Sequence, residues 1–319
     1  MNLHNLGQSG IKISPILMGT WQAGRDMWTD IDDTETTRAI QVAIDAGINT
    51  IDTAAVYGKG HSEKVVGQAV AECRQQVVLA TKVFANELQY DQVIAACERS
   101  LANLNTDYID LYQIHWPSGS FGSPVVPIEE TMRALNVLKD QGKIRAIGVS
   151  NFSRSQLEEA MAYGDIVSLQ PPYSLIWRHV ETDAMPLCTA NMLSILAYSP
   201  MAQGILTGKF GPDHQFKRGD HRRANRLFQE PVFSKVHKAL EELTPIADHH
   251  DITLGQLALA WVIAQPGACA IAGARNETQA RENAQAAAVS LTPEDLAAMD
   301  RISRQVTDHL DDDPVLWKW

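Results

Sequence analysis

The chain has 319 residues, is 45% hydrophobic and carries a formal net charge of −11. That is enough apolar material for a large core, and a closed α/β barrel absorbs such a length as one domain, 1–319. The acidic balance argues against a nucleic-acid partner or an anionic membrane surface, since both call for clustered Lys and Arg.

From the N-terminus, "NLHNLGQSGIKIS" reads as a hairpin with its turn at Gln8-Ser9-Gly10, a piece that could plug the bottom of a barrel. A first strand follows in "ILMGT" (16–20), then a helix in "DTETTRAIQVAIDAG" (33–47), which opens on Asp and Thr caps and closes on Gly47. The strand "NTIDTA" (49–54) leads through a glycine-softened loop to the helix "SEKVVGQAVAEC" (62–73). "VVLATKV" (77–83) precedes "DQVIAACERSLANL" (91–104), and "YIDLYQIH" (108–115) precedes "IEETMRALNVLKDQG" (128–142). "IRAIGVSN" (144–151) is followed by the Ser-capped "SRSQLEEAMAYG" (153–164). The strands "IVSLQPPY" (166–173), "LSILAYSP" (193–200) and "ACAIAG" (268–273) complete the set, the last followed by "ARNETQARENAQAAA" (274–288).

The strand runs are near-continuously apolar, as strands buried on both faces are. Eight of them alternating with helices predict a (β/α)8 barrel. A doubly wound sheet would instead call for GxGxxG after the first strand, and "GTWQAG" does not supply it. Met201 to Ser234 stands out as a long loop, and such loops are usually functional or disordered. Within it, the basic "KRGDHRRANR" (217–226) reads first as a solvated loop and second as an anion contact. In the C-terminal tail, Asp311 to Asp313 reads as a solvated run, and Trp317 and Trp319 as packing on a groove or partner. Cys73, Cys97, Cys188 and Cys269 lie far apart without a CxxC pair, which is neither a zinc set nor a disulfide framework. No signal-like stretch opens the chain and no run of about 18 apolar residues occurs, so a cytoplasmic location is expected.

A barrel of this kind carries its active site at the C-terminal ends of its strands. The polar residues there are Asp52, with Tyr57 just beyond, then Lys82, His115, Ser150 with Asn151, Gln170 and Tyr198. Asp52 and Lys82 lie on adjacent strands and should pair, because charges buried alone are costly. Tyr57 can lie over both, and the ammonium is expected to lower its pKa. His115 can offer an N–H to a carbonyl oxygen. Singly, each has an ordinary reading as a cap, a solvated strand end, a core histidine or loop packing. Together they form a proton donor, its tuner, the tuner's counter-ion and a carbonyl orienter, a set suited to carbonyl reduction. No metal set is evident: "HHD" (249–251) lacks a third ligand and reads as a solvated helix end. "GILTGKF" (204–210) misses the P-loop spacing and has Phe210 where Ser or Thr should stand.

The segments "IDTAAVYG", "ATKV", "DLYQIHWP", "GVSNF", "LQPPYSL", "AYSPMAQGILTGKF" and "IAGARNETQARENAQA" resemble those of the aldo-keto reductases, in order and along essentially the whole chain. The resemblance implies a (β/α)8 barrel that reduces aldehydes and ketones with NADPH (NADP), less often NADH. It also implies a tetrad of Asp52, Tyr57, Lys82 and His115. By the same resemblance Ser150, Asn151 and Gln170 hold the nicotinamide carboxamide and Tyr198 stacks on the ring, while Gly19, Thr20 and Trp21 line the first loop. Ser199, Met201, Gly204 and Leu206 contact the pyrophosphate, with Lys209 nearby. Gly273, Arg275, Gln279, Glu282 and Asn283 take the adenosine phosphate end. Many members carry Lys where Gly273 stands and Arg where Gln279 stands, which leaves Arg275 as the main cation there and NADH as the alternative cofactor. Trp21, Trp116, Trp177 and the 201–234 loop imply an aromatic-walled pocket for a small carbonyl substrate. Two other readings compete: a Schiff-base aldolase using Lys82, and a cofactor-sensing regulatory subunit. The sequence does not speak to oligomeric state.

Overall fold

The computed structural model describes residues 1–311 apart from Met27 and Thr29, together with Asp313 and Val315. Strands β1 (His4–Asn5) and β2 (Lys12–Ile13) form the expected antiparallel hairpin. Eight parallel strands then close a barrel: β3 (Ile16–Gly19), β4 (Thr50–Asp52), β5 (Val78–Val83), β6 (Ile109–Ile114), β7 (Ile144–Ser150), β8 (Ile166–Gln170), β9 (Ser194–Tyr198) and β10 (Ala268–Gly273). β10 pairs with both β3 and β9, so no edge is left open. The register sets Gly19 opposite Asp52 and Ser150 opposite Gln170, which brings the polar strand ends level at one mouth.

The helices around the barrel are α1 (Asp33–Asp45), α2 (His61–Val70), α3 (Tyr90–Leu104), α4 (Ile128–Asp140), α5 (Arg154–Met161), α6 (Met185–Ala190), α7 (Val232–His249), α8 (Leu254–Ile263), α9 (Glu277–Gln285) and α10 (Pro293–Thr307). Ser153 caps α5 as the sequence suggests, whereas α1 is capped by Asp32, one residue before the Asp33 that opens the predicted stretch. Asp32 accepts from the backbone N–H groups of Thr34 and Glu35 at the start of α1, and Ser153 forms a capping box with Gln156 on α5. α6, α7, α8 and α10 were not singled out in the sequence. In α8, "LGQLALAWVI" is buried from Gly255 to Val262, so it has no polar face to give a periodic signal.

The core has two layers. The larger lies between the barrel and its helices. The smaller fills the barrel: Leu17, Val78, Leu111 and Leu196 meet Leu6, Ile11 and Ile13 of the hairpin, which plugs the end away from the polar mouth. Burying each of those three hairpin side chains is worth roughly 1.5–3 kcal/mol. No helix among the described residues is long and apolar enough to cross a membrane.

Two surface readings change. Asp311 is not simply solvated: it pairs with Arg226 at 2.5 Å, and the Arg226 guanidinium also donates to the backbone oxygens of Asp313 and Val315. Asp312, Trp317 and Trp319 lie outside the described residues. His250 of the "HHD" run donates from Nε2 to the Asp295 carboxylate at 2.9 Å, pinning the end of α7 to the start of α10.

Candidate active site

β4 ends on Asp52, 3% exposed, and the loop after it carries Tyr57 back over the barrel mouth. Glycines make that fold-back possible. A Cβ on Gly24 would stand 2.6 Å from the Tyr57 carbonyl carbon, and one on Gly58, whose φ is +61, would stand 2.3 Å from the Gly24 oxygen. The first loop and the Tyr57 loop therefore touch backbone to backbone. Ser62, at the start of α2, fastens the same corner by bonding to the Thr20 oxygen and the Thr53 hydroxyl.

Lys82, fully buried on β5, donates from Nζ to Asp52 Oδ1 at 2.7 Å and to the Thr53 oxygen at 2.7 Å. Its third neighbour is the Tyr57 hydroxyl at 3.5 Å. Asp52 Oδ2 accepts from Gln170 Nε2 at 2.9 Å, so both carboxylate oxygens are engaged. His115 follows β6, with its ring edge-on to Tyr57 at 5.7 Å. Its Nδ1 has no partner among the described residues. The four predicted residues are thus brought together.

Their electrostatics depart from the expectation in one respect. The Tyr57 pKa is pushed well above 10, first by burial and then by the Asp52 carboxylate. The ammonium does not win, because Asp52 answers its charge at 2.7 Å while the phenol stands 3.5 Å off. Burial lowers the Lys82 pKa and Asp52 works against that fall. Burial, followed by the charge on Lys82, holds His115 well below 6.5, so its imidazole is neutral. The resting site therefore holds a protonated phenol and a neutral imidazole around one point at the mouth.

A second network continues from this cluster. Asn151, with φ +62, donates to the His115 oxygen at 3.0 Å and to Ser150 Oγ at 3.1 Å. Ser150 donates to the Gln170 oxygen, and Tyr198 donates to Asn151 Oδ1 at 2.8 Å. Asn151, Gln170 and Tyr198 line a cleft of about 830 Å³ that also takes in Asp52, Tyr57 and His115, with Lys82 behind them. Gly19, Thr20 and Trp21 form one wall, and Ser199, Met201, Gly204 and Lys209 another. Gly273, Arg275 and Gln279 close the far end. The Gln279 side chain accepts from the Arg275 backbone N–H at 2.9 Å.

Four residues are placed differently. Leu206 is buried in the core, 2% exposed, and does not line the cleft. Glu282 is exposed on α9, and its backbone oxygen accepts from Gln256 Nε2 at 3.1 Å. Asn283 is buried and donates to the Gly273 oxygen, shaping the cleft floor from behind. Trp177 is buried behind Tyr198, ring to ring at 6.4 Å, and is no part of the pocket wall.

The aromatic wall comes from Trp21 and Trp116 as expected, with Phe210 and Phe216 of the 201–234 loop, and is joined by Trp28, Phe84 and Phe121, which the sequence reading did not single out. Nor is the basic loop a solvated one throughout. Asp220 and Arg222 are 7% and 8% exposed and both face the cleft. Residues in irregular loops carry no periodicity that would have marked them. "GILTGKF" lies largely in a 3₁₀ turn over Ala202–Thr207, with Phe210 as a ring in the cleft wall.

A model of the aldo/keto reductase family matches residues 15–304. The aldo-keto reductase YhdN of Bacillus subtilis is 38% identical over 307 residues, covering 92% of this chain and 91% of that protein. An NADH-specific methylglyoxal reductase of Escherichia coli is 35% identical, covering 92% of this chain and 96% of its own. The structure of glycerol dehydrogenase AKR11B4 from Gluconobacter oxydans superposes with a TM-score of 0.88 at 34% identity, covering 97% of each chain. The chain belongs to the aldo/keto reductase family and is an NAD(P)H-dependent oxidoreductase of carbonyl compounds.

Proposed function

We propose that Tyr57 delivers the proton in this reduction, and the observation that carries the proposal is the buried cluster in which its hydroxyl meets Lys82 beside Asp52 and His115. The donor set of the cleft suits a dinucleotide: amides and the Tyr198 ring beside the cluster, and Lys209, Arg222 and Arg275 on its walls. NADPH or NADH bound there would supply a hydride to the carbonyl carbon. As that carbon is reduced, the carbonyl oxygen gains negative charge and takes the Tyr57 proton. The high proton affinity of Tyr57 keeps that proton in place until the oxygen needs it. Lys82 stabilises the phenolate left behind, and Asp52 holds Lys82 charged and aimed. His115, being neutral, can donate an N–H to the same oxygen and so orient the substrate.

Ser150, Asn151 and Gln170 would hold the nicotinamide carboxamide, with Tyr198 against the ring. Lys209 would lie at the pyrophosphate and Arg275 at the adenosine 2′-phosphate. NADPH is the proposed cofactor and NADH a second one, since Gly273 and Gln279 add no cation to Arg275. The rim of Trp21, Phe84, Trp116 and Phe121 favours small or aromatic aldehydes. One domain, 1–319, in the cytoplasm completes the reading, consistent with four free cysteines. The Schiff-base alternative is disfavoured by the buried Asp52–Lys82 pair, which keeps the amine engaged.

Tyr57→Phe tests the assignment. It should lower turnover of an aromatic aldehyde by about 10²–10⁴ while tryptophan quenching by NADPH stays within about twofold. Reduction at the wild-type rate would refute the role of Tyr57.

A further inference from the structure

The walls of the cleft carry three cations threaded on shared rings. Lys209 Nζ lies 5.0 Å from the Phe210 ring centroid, and the Arg222 guanidinium lies 5.3 Å from the same ring. Arg222 also lies 5.1 Å from the Trp28 ring, where Arg275 stands 5.4 Å away. Phe216, at 4.7 Å, adds a third ring to Arg222. The middle cation is therefore held by three aromatic faces, two from its own loop and one, Trp28, from the first loop of the barrel. It is also paired: Arg222 donates from Nε and Nη2 to the two Asp220 oxygens at 2.8 and 2.5 Å, and its backbone N–H bonds to Asp220 Oδ1 at 3.0 Å. Among the described residues this is the one salt bridge within the trio. Burial and the mutual repulsion of the cations both disfavour the charge on Lys209, and Asp220 opposes that effect.

A carboxylate buried in the wall of an anion-binding cleft, inside a group of three cations, stands where a phosphoryl group would draw on the same charges. We propose that Asp220 is a built-in anion that occupies the Lys209–Arg222–Arg275 trio, so that a phosphoryl group of the cofactor binds in competition with it. The inference rests on the nucleotide reading of the cleft proposed above. It makes Asp220 a determinant of cofactor affinity that opposes binding, in contrast to the three cations.

The test is binding of 2′-AMP, ADP and adenosine to the full-length protein by calorimetry, in the wild type, Asp220→Asn and Asp220→Glu. Adenosine lacks a phosphate, so its affinity corrects for any loosening of the loop. In Asp220→Asn, at least one phosphorylated probe should tighten about tenfold relative to adenosine, the size expected for removing one like charge at close range. Tightening of ADP places Asp220 against the pyrophosphate common to both cofactors. Tightening of 2′-AMP places it against the 2′-phosphate and makes it a determinant of cofactor choice. Asp220→Glu keeps the charge and should match the wild type within about twofold. The proposal is overturned if neither probe tightens relative to adenosine, if both weaken, or if Asp220→Glu gains as much as Asp220→Asn. A wild-type protein that binds neither these probes nor NADPH would instead bring down the nucleotide reading itself, and this proposal with it.

Discussion

Replacing Lys82 with Met should destabilise the protein through what it leaves behind more than through what it removes. Lys82 is fully buried, and its two 2.7 Å bonds satisfy Asp52 Oδ1 and the Thr53 oxygen. Methionine fills much of the same volume, so the cavity term is small. Asp52, 3% exposed, would keep only Gln170 Nε2 at 2.9 Å, a neutral donor that cannot balance a carboxylate. Breaking a buried pair in this way costs about 3–5 kcal/mol. The double variant Asp52→Asn, Lys82→Met removes both charges, and its amide can still meet Gln170. It should return to within about 1 kcal/mol of the wild type, since neutral replacements of buried pairs are often near-neutral in stability. Equilibrium urea unfolding at pH 7 of the wild type, both single variants and the double variant would give the coupling energy, expected at about 2 kcal/mol or more because each single variant strands a buried charge. A double variant no more stable than Lys82→Met would mean that the stranded Asp52 charge is not the source of the loss, and the electrostatic account of the site would fall.

Other outcomes follow from the same geometry. The His115 pKa is held well below 6.5 in the folded state, so the unfolded chain binds the extra proton as pH falls through 6.5. Its contribution to stability is thus present above pH 6.5 and lost below it, by up to about 1.4 kcal/mol per pH unit. His115→Gln should lose less stability between pH 7 and pH 5 than the wild type, by urea unfolding; equal losses would argue against a neutral buried imidazole. The raised Tyr57 pKa means that its proton is retained up to pH 10, so kcat for reduction should show no fall governed by a Tyr57 ionisation below that pH. A clear Tyr57-dependent decline centred near pH 8 would show that the ammonium dominates after all. Gly24→Ala would place a methyl 2.6 Å from the Tyr57 backbone. It should cost about 1–3 kcal/mol and lower kcat by displacing the hydroxyl, whereas a variant with unchanged melting and turnover would show that the two loops can part freely.

How far the sequence could be read depended on whether a residue's surroundings were local. Alternating apolar runs and capped amphipathic helices require only neighbours in the chain, and they predict the barrel and most of its layers. α8 escaped because burial on all sides erases the polar stripe that reveals a helix. Asp52, Lys82, His115 and Gln170 could be found because polar residues at the ends of buried strands are rare enough to call for partners. Leu206, Glu282 and Trp177 were misplaced because a position in a matching segment does not say which way a side chain turns in a loop or helix.

The sequence by itself therefore determined the closed parallel barrel and the polar residues at its mouth, which follow from periodicity and from the residues that end each strand, while the family followed from the resemblance of whole segments. Tertiary structure alone decided the sign of the Tyr57 shift, which is set first by burial and then by the Asp52 carboxylate. It alone turned part of a basic loop into a buried ion pair, because Trp28, nearly two hundred residues away in the chain, meets Arg222 together with Phe210 and Phe216 of the loop itself. Burial and distance set the energy of a charge, and neither exists until the chain has folded.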